Sequence, residues 1–178
     1  KRYIKEKYNK PGNVYFGLVH RLDRPTSGVM VFAKTSKAAS RLSAQISKHQ
    51  FSKAYMAVVC GKVPVSGKFT DKLFKDKKNN ISYVSSNGKE ATLSYELLSY
   101  KDGFSLVRIN LETGRSHQIR VQFSSRGYPL YGDYKYGGPK GQLALFAYFL
   151  EFYHPITKEK MSFSLDLPDR YPFNIFDV

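Results

Sequence analysis

The sequence predicts an α+β fold in which a central mixed, mostly antiparallel sheet is flanked by two principal helices. β-Branched and aromatic runs recur along the chain and are separated by glycine, proline and Asp-Gly turn signals. Two other segments repeat apolar residues at spacings of three and four, which is typical of amphipathic helices. No internal repeat or linker divides the 178 residues, so we expect a single domain over the whole chain.

Strands are expected where β-branched and aromatic residues cluster between turn signals. We place them at residues 29–33, 53–63, 81–84, 91–100, 104–111, 143–153 and 161–167. The first of these is the most apolar and should be fully buried. Asp102-Gly103 lies between two of the strands and predicts a hairpin turn. The polar, lysine-rich residues 68–80 predict an exposed loop or hairpin.

Two helices are expected, at residues 36–48 and 116–126. Ser36 is placed to cap the first helix, and Gly127 is placed to end the second. The first helix has one apolar face, formed by Ala39, Leu42 and Ile46.

The charge of the chain is large and unevenly distributed. Lys and Arg number 29 against 14 Asp and Glu, a net charge of +15, and residues 1–80 alone carry 18 basic and 4 acidic residues. This excess predicts a polyanionic partner, most simply nucleic acid. A basic domain with no such partner is the alternative, and the absence of a long basic amphipathic helix disfavours a membrane surface.

Several classes of protein are excluded by composition. Hydrophobic residues make up 42% of the chain, which excludes a wholly disordered protein, and there is no apolar run long enough to cross a membrane or serve as a secretory signal. The single Cys60 cannot form an intramolecular disulfide, and the four histidines are scattered. We therefore expect a cytoplasmic protein without a structural metal.

Asp23 is an unusual residue in its surroundings. Only Glu6 and Asp23 are acidic among the first 70 residues, and Arg21 and Arg24 flank Asp23. A carboxylate opposes phosphate binding on a basic surface, so its presence needs a reason. It could act as a nucleophile or base on nucleic acid, or it could pair with a neighbouring arginine to rigidify a turn.

Three motifs bear on this choice. They are HRLDRPTSG at residues 20–28, KAYMAVVCG at 53–61 and TGRSHQIR at 113–120, with Gly132-Asp133 further on. In order and spacing they resemble the motifs of RluA-type pseudouridine synthases, enzymes that isomerise uridine in RNA. The likeness spans roughly residues 19–167. An N-terminal strand and loop of that family are not recognisable here, so we expect the N-terminal part of the domain to be missing from this chain.

The resemblance implies a role for each motif. Asp23 matches the catalytic aspartate, which acts as a nucleophile or base, Tyr55 matches the active-site tyrosine that stacks on the target base, and Arg120 matches the arginine that pairs with the aspartate. It also implies that no cofactor or metal is needed and that the target uridine is flipped out of the RNA. Arg21 would then fill the space left by the base.

The remaining expectations concern partners. We expect ribosomal or transfer RNA to bind through four basic residues, Arg21, Arg24, Lys53 and Arg115, and the protein to be a monomer. His20 and His117 are expected to be structural. A non-catalytic RNA-binding module, a ribosome-associated structural protein, and a truncated chain that is inactive by itself remain alternatives.

Overall fold

The computed structural model describes residues 1–177. Its strands are β1 (Gly17–Leu18), β2 (Ser27–Gly28), β3 (Phe32–Ala33), β4 (Ser52–Cys60), β5 (Ser66–Asp76), β6 (Ile81–Val84), β7 (Lys89–Lys101), β8 (Phe104–Leu111), β9 (Leu145–Tyr153) and β10 (Lys160–Ser164). Its α-helices are α1 (Arg2–Lys7), α2 (Ser36–Ser47) and α3 (Gln118–Ser124). Short 3₁₀ helices occur at Tyr134–Tyr136 and Phe173–Ile175.

One eight-stranded sheet organises the chain. Seven strands lie in the order β10-β9-β4-β8-β7-β5-β6, and β2 pairs in parallel with the first part of β9. The other pairings in this sheet are antiparallel, so the predicted mixed, mostly antiparallel α+β architecture is confirmed. The two-residue strands β1 and β3 form a small separate sheet.

Both faces of the sheet are covered because successive strand side chains point to opposite sides. On one face, Val107 and Ile109 pack with Ile119 and Phe123 of α3. On the other, Leu106 packs with the C-terminal residues Phe173 and Phe176. Helix α2 covers a third cluster near β9, formed by Ala33, Leu42, Phe51, Leu150 and Phe152.

The predicted buried strand at 29–33 is wrong. The chain instead forms β2 and β3, which belong to different sheets, and Phe32 is exposed and stacks on Phe16 at 4.4 Å between ring centroids. Val29 and Val31 are half-buried and pack toward the α2 cluster. The Val29 N–H donates to the Ala147 carbonyl of β9 at 2.8 Å, whereas Phe32 and Ala33 pair with β1, so the run passes from one sheet to the other.

For residues 68–80 we predicted either an exposed loop or a hairpin, and the structure shows a hairpin. Strand β5 has 11 residues and pairs with β7 along one edge and with β6 along the other. Burial alternates along residues 66–74 of β5, so that Phe69 and Leu73 face the core while Lys68 and Lys72 face solvent. The strand was not predicted because the segment is highly polar, and it is polar because only one face of the strand is buried.

The remaining local predictions hold with small changes. Asp102 (φ 54°) and Gly103 (φ 81°) form the turn between β7 and β8, and Gly127 (φ 81°) follows α3. The cap of α2 is Thr35 and not Ser36, because the Thr35 hydroxyl accepts the Ala38 N–H at 3.1 Å.

Candidate active site in a basic cleft

A broad cleft crosses one end of the sheet. Strands β9, β4, β8, β7 and β5 each contribute a lining residue, namely Phe149, Lys53, Asn110, Thr92 and Lys75. Residues 18–25 and 110–117 form its upper walls. Its volume is about 1810 Å³, well above the roughly 300–1,000 Å³ of small-molecule sites. A cleft of this size and charge suits a polymer better than a metabolite.

Asp23 lies at the floor of this cleft, in the segment that leads into β2. Its backbone carbonyl accepts the Thr26 N–H at 2.8 Å, which closes a tight turn. The side chain is 26% exposed and lies 3.5 Å from Nη1 of Arg120. Among residues 1–177, neither Arg21 nor Arg24 forms an ion pair with it. The arginine that contacts Asp23 is thus 97 residues away, and a local Arg–Asp turn does not explain this carboxylate.

Arg120 is held by a second carboxylate, Asp133. Nε and Nη2 of Arg120 donate to the two carboxylate oxygens of Asp133 at 2.7 and 2.6 Å. Both side chains are buried, at 7% and 1% exposure. Burial lowers the pKa of Arg120, but the hydrogen bonds and charge of Asp133 outweigh this and raise it overall. This pair leaves Nη1 free to point at Asp23.

Tyr136 supports the guanidinium from one side. The Arg120 Cζ atom lies 4.9 Å from the centre of the Tyr136 ring. The Tyr136 hydroxyl accepts the backbone N–H of Ser82 at 2.8 Å and lies 2.6 Å from Nδ1 of His117. Which of the two atoms is the donor in the contact between the Tyr136 hydroxyl and Nδ1 depends on the tautomer of His117.

His117 is buried beside the cleft that Asp23 lines, and it is the N-cap residue of helix α3. Its backbone has φ 55°, a left-handed conformation that is uncommon outside glycine. Burial is the main cause that lowers its pKa, and nearby cations lower it further while Asp23 opposes them. The structural role predicted for His117 fits these contacts, although its partner is a tyrosine hydroxyl and not the backbone.

Gln118 fixes the loop that precedes α3. Its Oε1 accepts from the Thr113 hydroxyl at 2.8 Å and from the Arg115 N–H at 3.0 Å, and its Nε2 donates to the Thr92 carbonyl at 3.0 Å. Arg115 also donates through Nε to the Glu90 carbonyl at 2.8 Å. The TGRSHQIR segment is therefore bound to the start of β7, which positions Arg120 over the sheet.

A smaller cavity of about 80 Å³ opens beside Asp23. Tyr55, Leu22 and Ile119 are among its lining residues. Tyr55 is 7% exposed, and among residues 1–177 its hydroxyl has no hydrogen-bond partner. Burial, assisted by the charge of Asp23, raises the pKa of Tyr55 to about 12. The phenol is therefore a neutral group that adjoins the carboxylate in the cavity.

Lys53 and His20 lie on the β4 side of the cleft. Burial lowers the pKa of the Lys53 ammonium. His20 accepts the Val31 N–H through Nε2 at 3.2 Å, and burial together with the Lys53 charge lowers its pKa to about 4. His20 is therefore neutral at physiological pH, and its structural role stays a prediction.

The structure brings the predicted site residues into one place. Asp23, Tyr55 and Arg120 all line the smaller cavity. The predicted RNA-binding residues line the larger cleft as well: Arg21, Arg24, Lys53 and Arg115. Sequence reasoning gave no role to Tyr136 and attached Gly132-Asp133 to the motif set without assigning a function. The Gly132-Asp133 motif was the only signal that could have pointed to the buried partner of Arg120.

Metal-binding clusters and membrane-spanning helices are both absent from the described residues. Residues 1–177 contain no group of three or more His, Cys, Asp or Glu side chains that could hold a metal ion. No helix in the described part of the chain is long and apolar enough to cross a membrane.

Fold and site together define a class of protein: an α+β domain with a cross-sheet basic cleft and a partly exposed carboxylate, Asp23, next to a buried arginine. The family model for RNA pseudouridylate synthase matches residues 1–125. The chain belongs to this family. The match begins at residue 1, whereas the motif resemblance begins near residue 19. The family model therefore also covers the N-terminal segment.

Curated relatives carry a consistent name. "Ribosomal large subunit pseudouridine synthase D" of Vibrio vulnificus is 37% identical over 171 residues, which cover 86% of this chain and 53% of the relative. The protein of that name from Neisseria meningitidis serogroup A is 37% identical over 170 residues, covering 86% and 46%. The chain thus spans about half the length of these relatives.

Solved structures share the fold. "Human RNA Pseudouridylate Synthase Domain Containing 1" superimposes with a TM-score of 0.78 at 24% identity and covers 94% of this chain and 74% of that one. "Human RNA Pseudouridylate Synthase Domain Containing 4" gives 0.73 at 24% identity, with 86% and 72% covered.

Proposed function

We propose that the protein is an RNA pseudouridine synthase that isomerises specific uridines in ribosomal or transfer RNA, with Asp23 as the nucleophile. The observation that carries this proposal is the position of Asp23. It is a partly exposed carboxylate at the floor of a basic cleft, beside a small cavity that also contains Tyr55, and the guanidinium of Arg120 lies 3.5 Å away.

The reaction needs no cofactor to balance. The bond between ribose C1′ and uracil N1 breaks, a bond between C1′ and C5 forms, and the C5 proton is lost while N1 is protonated. Substrate and product have the same formula, and no electrons are transferred. The requirements are a nucleophile, a means of holding the detached base, and a place for one proton.

Asp23 attacks C1′ as a carboxylate while the C1′–N1 bond breaks, and the bond that it forms to C1′ breaks again when C5 of the detached uracil attacks C1′, which regenerates the carboxylate. Arg120 orients this carboxylate. Tyr55 stacks on the uracil, which keeps the detached base near C1′ so that its C5 can be turned toward the sugar. The pKa of about 12 keeps Tyr55 protonated, so its hydroxyl can donate a hydrogen bond to a uracil carbonyl.

A uridine within folded RNA must leave the stack before Asp23 can reach its glycosidic bond, at a cost of a few kcal/mol. Arg21 is exposed beside Asp23 and fills the space that the base leaves. Arg24, Arg115 and Lys53 line the same cleft and bind the phosphates of the RNA around the target.

Ribosomal RNA is the better supported of the two substrates because the curated relatives are named as ribosomal large subunit enzymes. The protein acts in the cytoplasm as a monomer. A non-catalytic RNA-binding module would have no use for a carboxylate on a phosphate-binding surface, so we place it second.

Mapping pseudouridines in total RNA, with and without the gene, tests the proposal. We expect one or a few sites to disappear from ribosomal or transfer RNA when the gene is deleted and to return when it is restored. An unchanged map would contradict the proposed function and favour the non-catalytic alternative.

A further inference from the structure

The wall of the cleft at the β6 edge carries two lysines. Lys75 is near the end of β5 and Lys135 is in the first 3₁₀ helix, and both line the cleft that contains Asp23. Neither is within ion-pair distance of an Asp or Glu among residues 1–177. Neither ammonium group is therefore held in an ion pair by a carboxylate of the described residues.

Asn80 holds the two ammonium groups together. The Nζ of Lys75 donates to Asn80 Oδ1 at 2.5 Å, and the Nζ of Lys135 donates to the Asn80 carbonyl at 3.1 Å. Asn80 has φ 50°, a conformation that asparagine adopts more readily than most residues. Burial lowers the pKa of Lys75, Asp23 opposes this, and Lys135 lowers it further. Two ammonium groups held beside one residue form a site that a bound anion would neutralise.

The hairpin that carries this wall is fixed relative to the catalytic residues. The Ser82 N–H of β6 donates to the Tyr136 hydroxyl at 2.8 Å, and the Tyr136 ring lies against Arg120. The lysines therefore have a defined distance from Asp23. They lie near the β6 edge of the sheet, whereas β2 pairs with β9 near the other edge. Arg24 precedes β2 in the chain.

We propose that Lys75 and Lys135 form a phosphate-binding site for the RNA strand next to the target nucleotide. Arg21 and Arg24 would bind the strand on the β2 side, and the lysine pair would bind it on the β6 side, so that the target nucleotide lies over Asp23. This proposal rests on the proposed function, because it takes RNA as the ligand in the cleft. Phosphate is the group that the site recognises, and sequence is read elsewhere.

The salt dependence of RNA binding tests the site. The probe is an unmodified large-subunit ribosomal RNA transcript, and the variant is the double substitution Lys75→Gln with Lys135→Gln. Each lost phosphate contact lowers the slope of log K against log salt by about 0.7. We expect the double variant to lose about 1.4 from this slope, to bind roughly tenfold more weakly at moderate salt, and to raise KM while kcat stays within about twofold.

Two controls separate phosphate binding from other effects. The double variant Lys62→Gln with Lys101→Gln removes the same charge at the far end of the strands and should leave the slope unchanged. The double variant Lys75→Arg with Lys135→Arg retains both positive charges and should keep the wild-type slope. An unchanged slope in the Lys75 and Lys135 variant of an active enzyme would overturn the site, whereas a wild-type protein that makes no pseudouridine would contradict the proposed function itself.

Discussion

Arg120 and Asp133 form a bidentate, almost fully buried ion pair that joins helix α3 to the loop before β9. The pair uses Nε and Nη2 of the guanidinium, so Nη1 is directed at Asp23. A planar fork fixed at two points has little freedom left at the third. The orientation of the Asp23 carboxylate thus depends on Asp133, a residue that does not itself line the cleft.

Asp133→Asn should damage both stability and rate. The change leaves the buried Arg120 charge with only its longer contact to Asp23, and uncompensated buried charges cost about 3–5 kcal/mol. We expect the free energy of unfolding in urea to fall by about that amount and kcat to fall at least tenfold. Asp166→Asn, which removes an exposed carboxylate, is the control, and a wild-type rate in Asp133→Asn would refute the positioning role.

Tyr136→Phe should lower stability while retaining the ring against Arg120. It leaves the buried Ser82 N–H without an acceptor and His117 without its hydroxyl partner. An unsatisfied buried donor costs about 1–3 kcal/mol, which urea unfolding would detect. Tyr134→Phe changes the same group at a residue that is 76% exposed and should have no effect. Equal stabilities for the two variants would contradict the hydrogen bonds described.

Tyr55→Phe removes the hydroxyl of this tyrosine and keeps its ring, so the variant should distinguish the contributions of the two groups to the reaction. The hydroxyl has no partner among residues 1–177, so the free energy of unfolding should change by less than about 1 kcal/mol. We expect kcat to fall because the hydrogen bond to uracil is lost, and KM to change little because the ring still stacks. An unchanged kcat would show that the hydroxyl takes no part in the reaction.

Stability should fall as the pH is lowered from 6.5 toward 4, in part because of His20. Its pKa is about 4 in the folded state against 6.5 for an unperturbed histidine. The unfolded state therefore binds the proton first as the pH falls, and this favours unfolding. In His20→Gln, whose amide oxygen can still accept the Val31 N–H, the pH dependence of unfolding over this range should be weaker. The exposed His49→Asn variant should keep the wild-type dependence.

The sequence predicted best those features that are encoded locally. The Asp102-Gly103 turn needs two consecutive positive φ angles, and runs rich in β-branched and aromatic residues lie on either side of it, so the β7–β8 hairpin could be recognised without tertiary information. The motifs around Asp23, Tyr55 and Arg120 likewise lie on short continuous segments. Their assembly in one cavity was implied only by the resemblance to a family.

Features that depend on distant partners could not be predicted. The burial of Arg120 results from Asp133, and an arginine on a short helix gives no local sign of such a partner. The strand at β5 was hidden because most of its residues are polar and only one of its faces is buried, while β7 and β6 supply its hydrogen bonds. The prediction for residues 29–33 was wrong for the opposite reason: the run is apolar, but Val29 and Val31 pack toward the α2 cluster and the strand β3 comprises Phe32 and Ala33.

The central claim is that Asp23 carries out the chemistry and does not serve RNA binding. The most direct measurement compares wild type and Asp23→Asn for pseudouridine formation in a large-subunit ribosomal RNA transcript, with RNA affinity and unfolding measured on the same samples. We expect turnover to be abolished while RNA affinity stays within a few-fold of wild type, because the substitution retains size and removes only the nucleophilic charge. Turnover near the wild-type rate in Asp23→Asn would contradict the account.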